Sequence, residues 1–319
     1  MASSVTKWRR PPRDLKMVYA GMLCGGLTAE HFSRLFFPKA VVHGKVAVHS
    51  NCQLRLKLLR QDGLLERIEQ YQTPKEGKRP YLYRPTKRGV QALADWLGCD
   101  SQDLSYRQKD SRLSSTYARH LIGENDLRVA ILCGVRDTPG VKLPTWLDSV
   151  TLKATHSADK MTVRGLHGGT QTAVLIPDGY FELQLSQPYE RMFRHFVEID
   201  MGTETGEDSY DADGAWRKTW ARKIVLYVKY LEGGQQSLMY RRYGSFRARV
   251  LSVTTSEQRL ENLVRVTEKV GGRQRFWFST FDRLKSVENV LAAPIWTIAD
   301  PAVHERKTLI GMAQEPGEV

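Results

Sequence analysis

Long hydrophobic runs, paired cysteines and repeated or biased tracts are all missing from this chain of 319 residues. No uninterrupted apolar run approaches the roughly 18 residues of a spanning helix, and 26% of the residues are charged, which reads against a membrane-embedded protein. The four cysteines, Cys24, Cys52, Cys99 and Cys133, show no CxxC or other zinc spacing. With no signal-peptide apolar segment either, a reducing cytoplasm is the expected address. Acidic residues are the scarcer charge, 35 Asp plus Glu against 48 Lys plus Arg, for a net +13. That surplus favours a polyanionic partner. What is present, 41% hydrophobic residues over this length, suffices for a sizeable core and makes two domains the expectation.

The positive charge is unevenly placed. Residues 1–110 carry 20 basic and 10 acidic side chains, whereas residues 111–319 carry 28 and 25. The main nucleic-acid contact is therefore expected in the N-terminal third. There the arm WRRPPR precedes an apolar helical segment at Leu15–Leu23. Thr28 is placed to cap a second helix, with Glu30 in its first turn and Phe32, Leu35 and Phe36 on one face. A third helix is predicted over 48–61, with Leu54 and Leu58 as its inner stripe, Gly63 as its stop, and Asn51, Gln53, Arg55, Lys57 and Arg60 polar. A strand at Leu64–Ile68, a basic turn at Thr73–Arg79, a returning strand through Tyr81 and Tyr83, and a helix at Pro85–Leu97 follow.

Three helices and a basic-tipped hairpin describe a winged helix-turn-helix, and GLLER…YLYRPTKRGVQAL resembles the wing and following helix of that superfamily. The resemblance implies that Ser50, Asn51, Gln53 and Arg55 reach base edges, with Lys57 beside them, and that Lys75, Lys78 and Arg79 in the wing bind phosphate of double-stranded DNA. The same polar residues could instead solvate an exposed helix, or the domain could serve protein contacts.

Residues 98–115 lose apolar periodicity and read as a linker. Beyond it, helix at Thr116–Gly134, strands at Leu147–Lys153, Ala173–Leu183 and Phe193–Asp200, helix at Trp216–Leu231, strand at Arg247–Thr254, helix at Glu257–Val270 and strand at Phe276–Ser279 predict an α/β sandwich with a mixed sheet. IPDGYFEL puts Asp178 after an apolar strand, and FVEIDMGTE puts Glu198 and Asp200 on one face of the next, opposite His195, which reads as a packed core histidine. Buried carboxylates need a cation, hydrogen bonds or solvent, and a hard divalent metal held by Asp178, Glu198 and Asp200 is the functional answer. In WRKTWARKIVLYVKY, the residues Trp216, Trp220, Lys223, Tyr227 and Tyr230 share one helical face. Lys223 is the cation expected opposite Asp178 and Glu198, unless its stem merely lies along the apolar face and its ammonium escapes to water.

Taken together, PDGYF, FVEIDMGTE, RKIVLYVKY and RARVLSVTTSEQRLENL resemble the replication-relaxation family, over a stretch from the first helix to about Ser279. That resemblance implies a winged helix (14–97), the linker (98–115), a PD-(D/E)XK restriction-endonuclease-like domain (116–300) and a tail (301–319), overall α+β. It is the plan of relaxases of the mobilisation-protein-C type. Asp178 then matches the acid of PD and Glu198 the acid of (D/E)XK. Asp200 stands where that motif has lysine, so Lys223 is implied as the substitute, and Glu124 resembles a supplementary acid. The function implied is a Mg²⁺- or Mn²⁺-dependent endonuclease or nickase in plasmid mobilisation and replication, acting on double-stranded DNA or a single strand at a nick, with a homodimer or other replication and mobilisation proteins as possible partners. The alternative is a replication or transcription regulator whose nuclease fold is inert.

Overall fold

A computed structural model describes residues 11–37, 41–42, 45–46, 48–70, 79–104, 115–164, 170–186, 190–202 and 219–311. The chain forms two compact units, Met1–Asn125 and Asp126–Val319, a division later than the linker expected at 98–115.

In the first unit the order is α1 (Pro12–Leu23), β1 (Leu27–Thr28), α2 (Ala29–Phe36), β2 (Val41–Val42), β3 (Lys45–Val46), α3 (Ser50–Gln61), β4 (Leu65–Ile68), β5 (Leu82–Pro85) and α4 (Lys87–Leu97). Local chemistry explains the helix ends. Pro12 opens α1, where a missing N–H costs nothing. Thr28 caps α2 reciprocally with His31: Thr28 Oγ1 accepts from the His31 N–H at 3.2 Å, and the Thr28 N–H donates to His31 Nδ1 at 3.3 Å. Thr86 accepts from the Gly89 N–H at 3.1 Å to start α4, and Gly98, at φ 71°, ends it. β1, β5 and β4 form an antiparallel sheet in the order β1-β5-β4, and β2 pairs with β3. Gly89 lets α4 touch β4's approach, because a Cβ there would sit 2.1 Å from the Leu64 carbonyl oxygen.

The inner stripe of α3 differs from the expectation. Cys52, Leu56 and Leu59 are buried, Leu58 is half-buried, and Leu54 is 52% exposed. The helix is turned so that its smaller Cys52 is buried beside Leu56 and Leu59 at spacings of four and three. A two-leucine stripe read without Cys52 therefore mistakes the phase.

The second unit contains α5 (Ser115–Arg136) from Asp126 onward, then β6 (Val141–Asp148), α6 (Ser149–His156), β7 (Lys160–Arg164), β8 (Thr170–Val174), β9 (Gly179–Leu185), β10 (Arg191–Asp200), α7 (Trp220–Leu231), α8 (Leu238–Tyr243), β11 (Arg249–Thr254), α9 (Glu257–Val270), β12 (Phe276–Thr280), α10 (Phe281–Ser286) and β13 (Thr297–Ile298). Its six-stranded sheet runs β13-β12-β11-β10-β9-β6. Strands β10, β11 and β12 are mutually parallel and the other pairings are antiparallel, so the sheet is mixed as expected. The strand expected at Leu147–Lys153 is instead the end of β6 followed by α6. Asp148 Oδ1 accepts from the Thr151 N–H at 2.8 Å, and that cap converts an apolar alternation into a helix start. Of the segment 301–319 expected as a tail, residues 301–311 are described and bury Leu309 and Ile310.

The sheet is covered on both faces, which is why its central strands lose polar alternation. Tyr180, Phe196, Val250, Phe276 and Phe278 face a core shared with Trp220, Ile224, Tyr227 and Tyr230 of α7 and Leu260 and Leu263 of α9. Phe181, Val197, Ile199, Leu251 and Val253 face the other core, with Leu127 and Ile131 of α5 and Leu291 and Trp296 near the C-terminus. His195 is fully buried in that second layer, its ring stacked on Phe181 with centroids 4.6 Å apart. Burial, with Arg249 nearby, holds its imidazole well below the ordinary histidine value, so it packs as a neutral ring.

Candidate functional site

On the first-layer face, β10 carries Phe196, Glu198 and Asp200 in alternation, as the pleat requires. Glu198 is 1% exposed. An isolated carboxylate at that depth would be prohibitively costly, and α7 meets the need with two donors one turn apart. Lys223 Nζ donates to Glu198 Oε2 at 2.8 Å, and Tyr227 Oη donates to Glu198 Oε1 at 2.6 Å. Thr219 starts α7 by accepting from the Arg222 N–H, and Trp220, Ile224 and Tyr230 anchor the helix in the core, so its phase delivers both donors. Burial pushes the Glu198 carboxyl up to about 7; Lys223 opposes this, and the nearby Asp178 charge adds to it. The Tyr227 hydroxyl, pushed well above its ordinary value by burial and then by Glu198, remains a donor.

Asp178 is half-buried at the entry to β9 and grips β10 at both peptides flanking Glu198. Its N–H donates to the Val197 carbonyl at 3.1 Å, and its Oδ2 accepts from the Ile199 N–H at 2.8 Å. It thus extends the β9–β10 ladder by one rung while holding a second acid beside Glu198. Gly179 follows because a Cβ there would meet the Val197 side chain at 3.3 Å.

Asp200 is engaged differently. Its Oδ2 accepts from Thr254 Oγ1 at 2.7 Å and Arg259 Nε at 2.8 Å, and its Oδ1 accepts from Arg259 Nη2 at 3.0 Å and the Gly202 N–H at 3.3 Å. Burial pushes this carboxyl up, but the Arg259 and Thr254 bonds outweigh it and hold it below the usual carboxylate range. The fork of Arg259 ties the end of β10 to α9. The structure thus brings Lys223 to Glu198, and Asp178 close enough to perturb it, while Asp200 is bound to a different cation. Glu124 lies in the first unit, paired with His120 one turn earlier on α5 at 3.2 Å. Trp216 lies outside the described residues.

Sequence reasoning missed the Tyr227 hydroxyl as a partner of Glu198 and Arg259 as the partner of Asp200. The spacing of four between Lys223 and Tyr227 carried the first signal. The second had none, since Arg259 sits 59 residues from Asp200.

In the first unit, Ser50, Asn51, Gln53 and Lys57 are exposed on α3. Arg55 is half-buried, and its guanidinium pairs with the fully buried Asp14 of α1, Nε lying 2.9 Å from Oδ1. Arg79 is half-buried just before β5, and Lys75 and Lys78 lie outside the described residues.

A family model described as replication-relaxation matches residues 24–245. That span includes PDGYF, FVEIDMGTE and RKIVLYVKY and stops before RARVLSVTTSEQRLENL. No curated protein matches the chain significantly, and no solved structure does. No helix among the described residues is long and apolar enough to cross a membrane.

Proposed function

From the premise that this chain belongs to the replication-relaxation family, which ties it to DNA and to replication or mobilisation, we propose that it is a DNA-strand-cleaving protein: a winged helix in its first unit holds duplex DNA, and a PD-(D/E)XK-type site in its second hydrolyses a phosphodiester. The observation that carries the reading is the 2.8 Å contact between Lys223 Nζ and Glu198 Oε2. A lysine supplied by the helix after the strand does the work of the one missing from the strand motif.

In the reaction a water oxygen bonds to phosphorus, one P–O bond breaks, and the leaving oxygen takes a proton. Lys223, 27% exposed, keeps its ammonium at the boundary between the buried carboxylate and solvent, where it steadies charge growing on the phosphate. Tyr227 fixes the Glu198 carboxylate, and Asp178, locked to the Ile199 N–H, cannot swing away. The donor chemistry fits Mg²⁺ or Mn²⁺. Asp178 and Glu198 are hard oxygen ligands, burial with the added charge of Asp178 keeps Glu198 near 7 even with Lys223 bonded to it, and each carboxylate has about four lone-pair sites. When bound, the metal would supply an activated water and a charge on the scissile phosphate. Asp200 belongs to the support of the site in this reading, because four bonds, from Thr254, the two arms of Arg259 and the Gly202 N–H, already take its about four lone-pair sites, against the two that Lys223 and Tyr227 make to Glu198.

In the first unit, the antiparallel β4–β5 ladder and the exposed Ser50, Asn51, Gln53 and Lys57 on α3 support a wing and a recognition helix. The +10 balance of residues 1–110 supports phosphate contact. Arg55, bound to Asp14, is a strut between α1 and α3.

Supercoiled plasmid incubated with the protein and Mg²⁺ or Mn²⁺ tests the whole reading. Open-circular product is expected, and it should disappear in Asp178→Asn and Lys223→Met while duplex binding persists. Duplex binding without any cleavage by the wild type would refute the enzyme and leave the inert-fold regulator.

A further inference from the structure

Between Glu232 and Glu257 the chain has no acidic residue, and it carries four arginines, Arg241, Arg242, Arg247 and Arg249, interleaved with Tyr240, Tyr243 and Phe246. The structure divides these residues into two sets. Arg242 Nε donates to Asp159 Oδ2 at 2.7 Å. Arg249 lies over the Trp277 ring at 4.2 Å and the Phe193 ring at 5.0 Å and donates to the Leu309 carbonyl at 2.7 Å. Tyr243 stacks on Tyr180 at 4.3 Å and accepts or donates at 2.7 Å with His156 Nε2. These three hold the segment to the body of the unit.

The other set faces outward. Arg241 and Arg247 are exposed, and neither has an acidic partner among the described residues. Phe246 is 38% exposed, an unusual cost for a large aromatic, with the Arg247 guanidinium 5.7 Å from its centroid and the Tyr240 ring 6.5 Å away. The display is held in shape. Ser237 Oγ caps α8 by accepting from the Tyr240 N–H at 3.0 Å, Gly244 closes the helix at φ 64°, and Ser245 Oγ accepts from the Arg247 N–H at 3.1 Å. An exposed ring with one unneutralised guanidinium against it, and a second exposed arginine on the adjoining helix α8, suits an unpaired, polyanionic strand: the ring stacks a base and the arginines take phosphates along the strand. Duplex DNA hides its base faces and cannot use the ring.

We infer that Arg241, Phe246 and Arg247 form a binding site for single-stranded DNA on the second unit, separate from the duplex contact of the first. It rests on the reading that the protein works on DNA, but not on cleavage. Its position serves that chemistry. Tyr243, at the inner side of the same helix, packs edge-on against Phe196, two residues before Glu198 on β10. Phe246 and Ser252, the β11 partner of Glu198, are six positions apart in the chain, so chain geometry limits their separation to about 20 Å. A strand opened at the carboxylates is within reach.

The test uses the full chain and fluorescein-labelled oligothymidylate, read by anisotropy over a salt series, with labelled duplex and plasmid nicking measured on the same preparations. Phe246→Ala should weaken oligothymidylate binding about 5- to 100-fold, with Phe246→Tyr restoring it, because stacking needs a ring and no particular substituent. Arg241→Ala with Arg247→Ala should flatten the log–log salt slope by about 1.4, and duplex affinity should be unchanged in every variant. Wild-type affinity for oligothymidylate in all of these variants, or duplex binding by a wild type that ignores oligothymidylate, would overturn the site. Absent nicking with the oligothymidylate pattern intact would remove the cleavage reading and uphold this one.

Discussion

Glu198→Gln should change how stability responds to pH, and its size follows from burial. The folded carboxyl is raised to about 7 from its ordinary 4.5, a difference of about 2.5 pH units, or about 3 kcal/mol at about 1.4 kcal/mol per unit. The sign is set by the direction of the shift. Because the folded state holds the proton more tightly, this stabilising contribution is fully present below about 4.5 and is lost as the pH rises through about 7. Glutamine mimics the protonated form and cannot titrate. The stability difference between Glu198→Gln and wild type should therefore move in favour of the variant by about 3 kcal/mol between pH 4.5 and 8.5, which is roughly 6–12 °C in the midpoint of a domain this size. Urea or thermal unfolding of both proteins, with EDTA present throughout, gives the difference curve, in which every group not coupled to residue 198 cancels. A difference that stays flat across that range would refute the account of Glu198 as a buried, incompletely compensated acid.

Other outcomes follow from the same contacts. Arg259→Ala leaves the Asp200 carboxylate buried beside Thr254 without its fork and should cost about 3–5 kcal/mol, seen as a lower midpoint in denaturant, with the loss reduced in Arg259→Ala/Asp200→Asn. Gly89→Ala drives a methyl against the Leu64 carbonyl and should destabilise the first unit by about 1–3 kcal/mol, measured by the unfolding of that unit. Lys57→Glu, on the exposed side of α3, should weaken duplex binding and flatten its salt dependence without altering the melting midpoint, whereas Arg55→Ala should lower the midpoint because Asp14 stays buried.

How far the sequence could be read depended on whether a feature was local. Thr28 acts within three residues, and the start it sets for α2 was legible, as was the end of α4 at Leu97; the Thr86 cap, which starts that helix at Lys87 rather than Pro85, was not. The face shared by Phe196, Glu198 and Asp200 followed from strand alternation alone, and the stripe that brings Lys223 to Glu198 followed from helical spacing. Asp148 shows the limit of that approach: as a cap it turns residues 149–156 into α6, but the same residues also alternate like a strand. Cys52 shows another, since a small thiol carries little weight in a hydrophobic pattern yet sets the rotation of α3. The roles of Asp200 and Arg55 depended on Arg259 and Asp14, which are distant in the chain. A charged residue's role is decided by a partner that periodicity does not locate.

The pairing of Asp200 with Arg259 also limits which residues position 200 can accept. A lysine at position 200 would put an ammonium against the Arg259 guanidinium in a site that is 6% exposed, and Thr254 would lose its acceptor. The two cationic duties of the region are divided between helices, Lys223 on α7 serving Glu198 and Arg259 on α9 serving the strand end. A lysine introduced at position 200 therefore calls for a change at 259 in the same protein, since Arg259 and Thr254 would otherwise face a cation where they now have a shared acceptor.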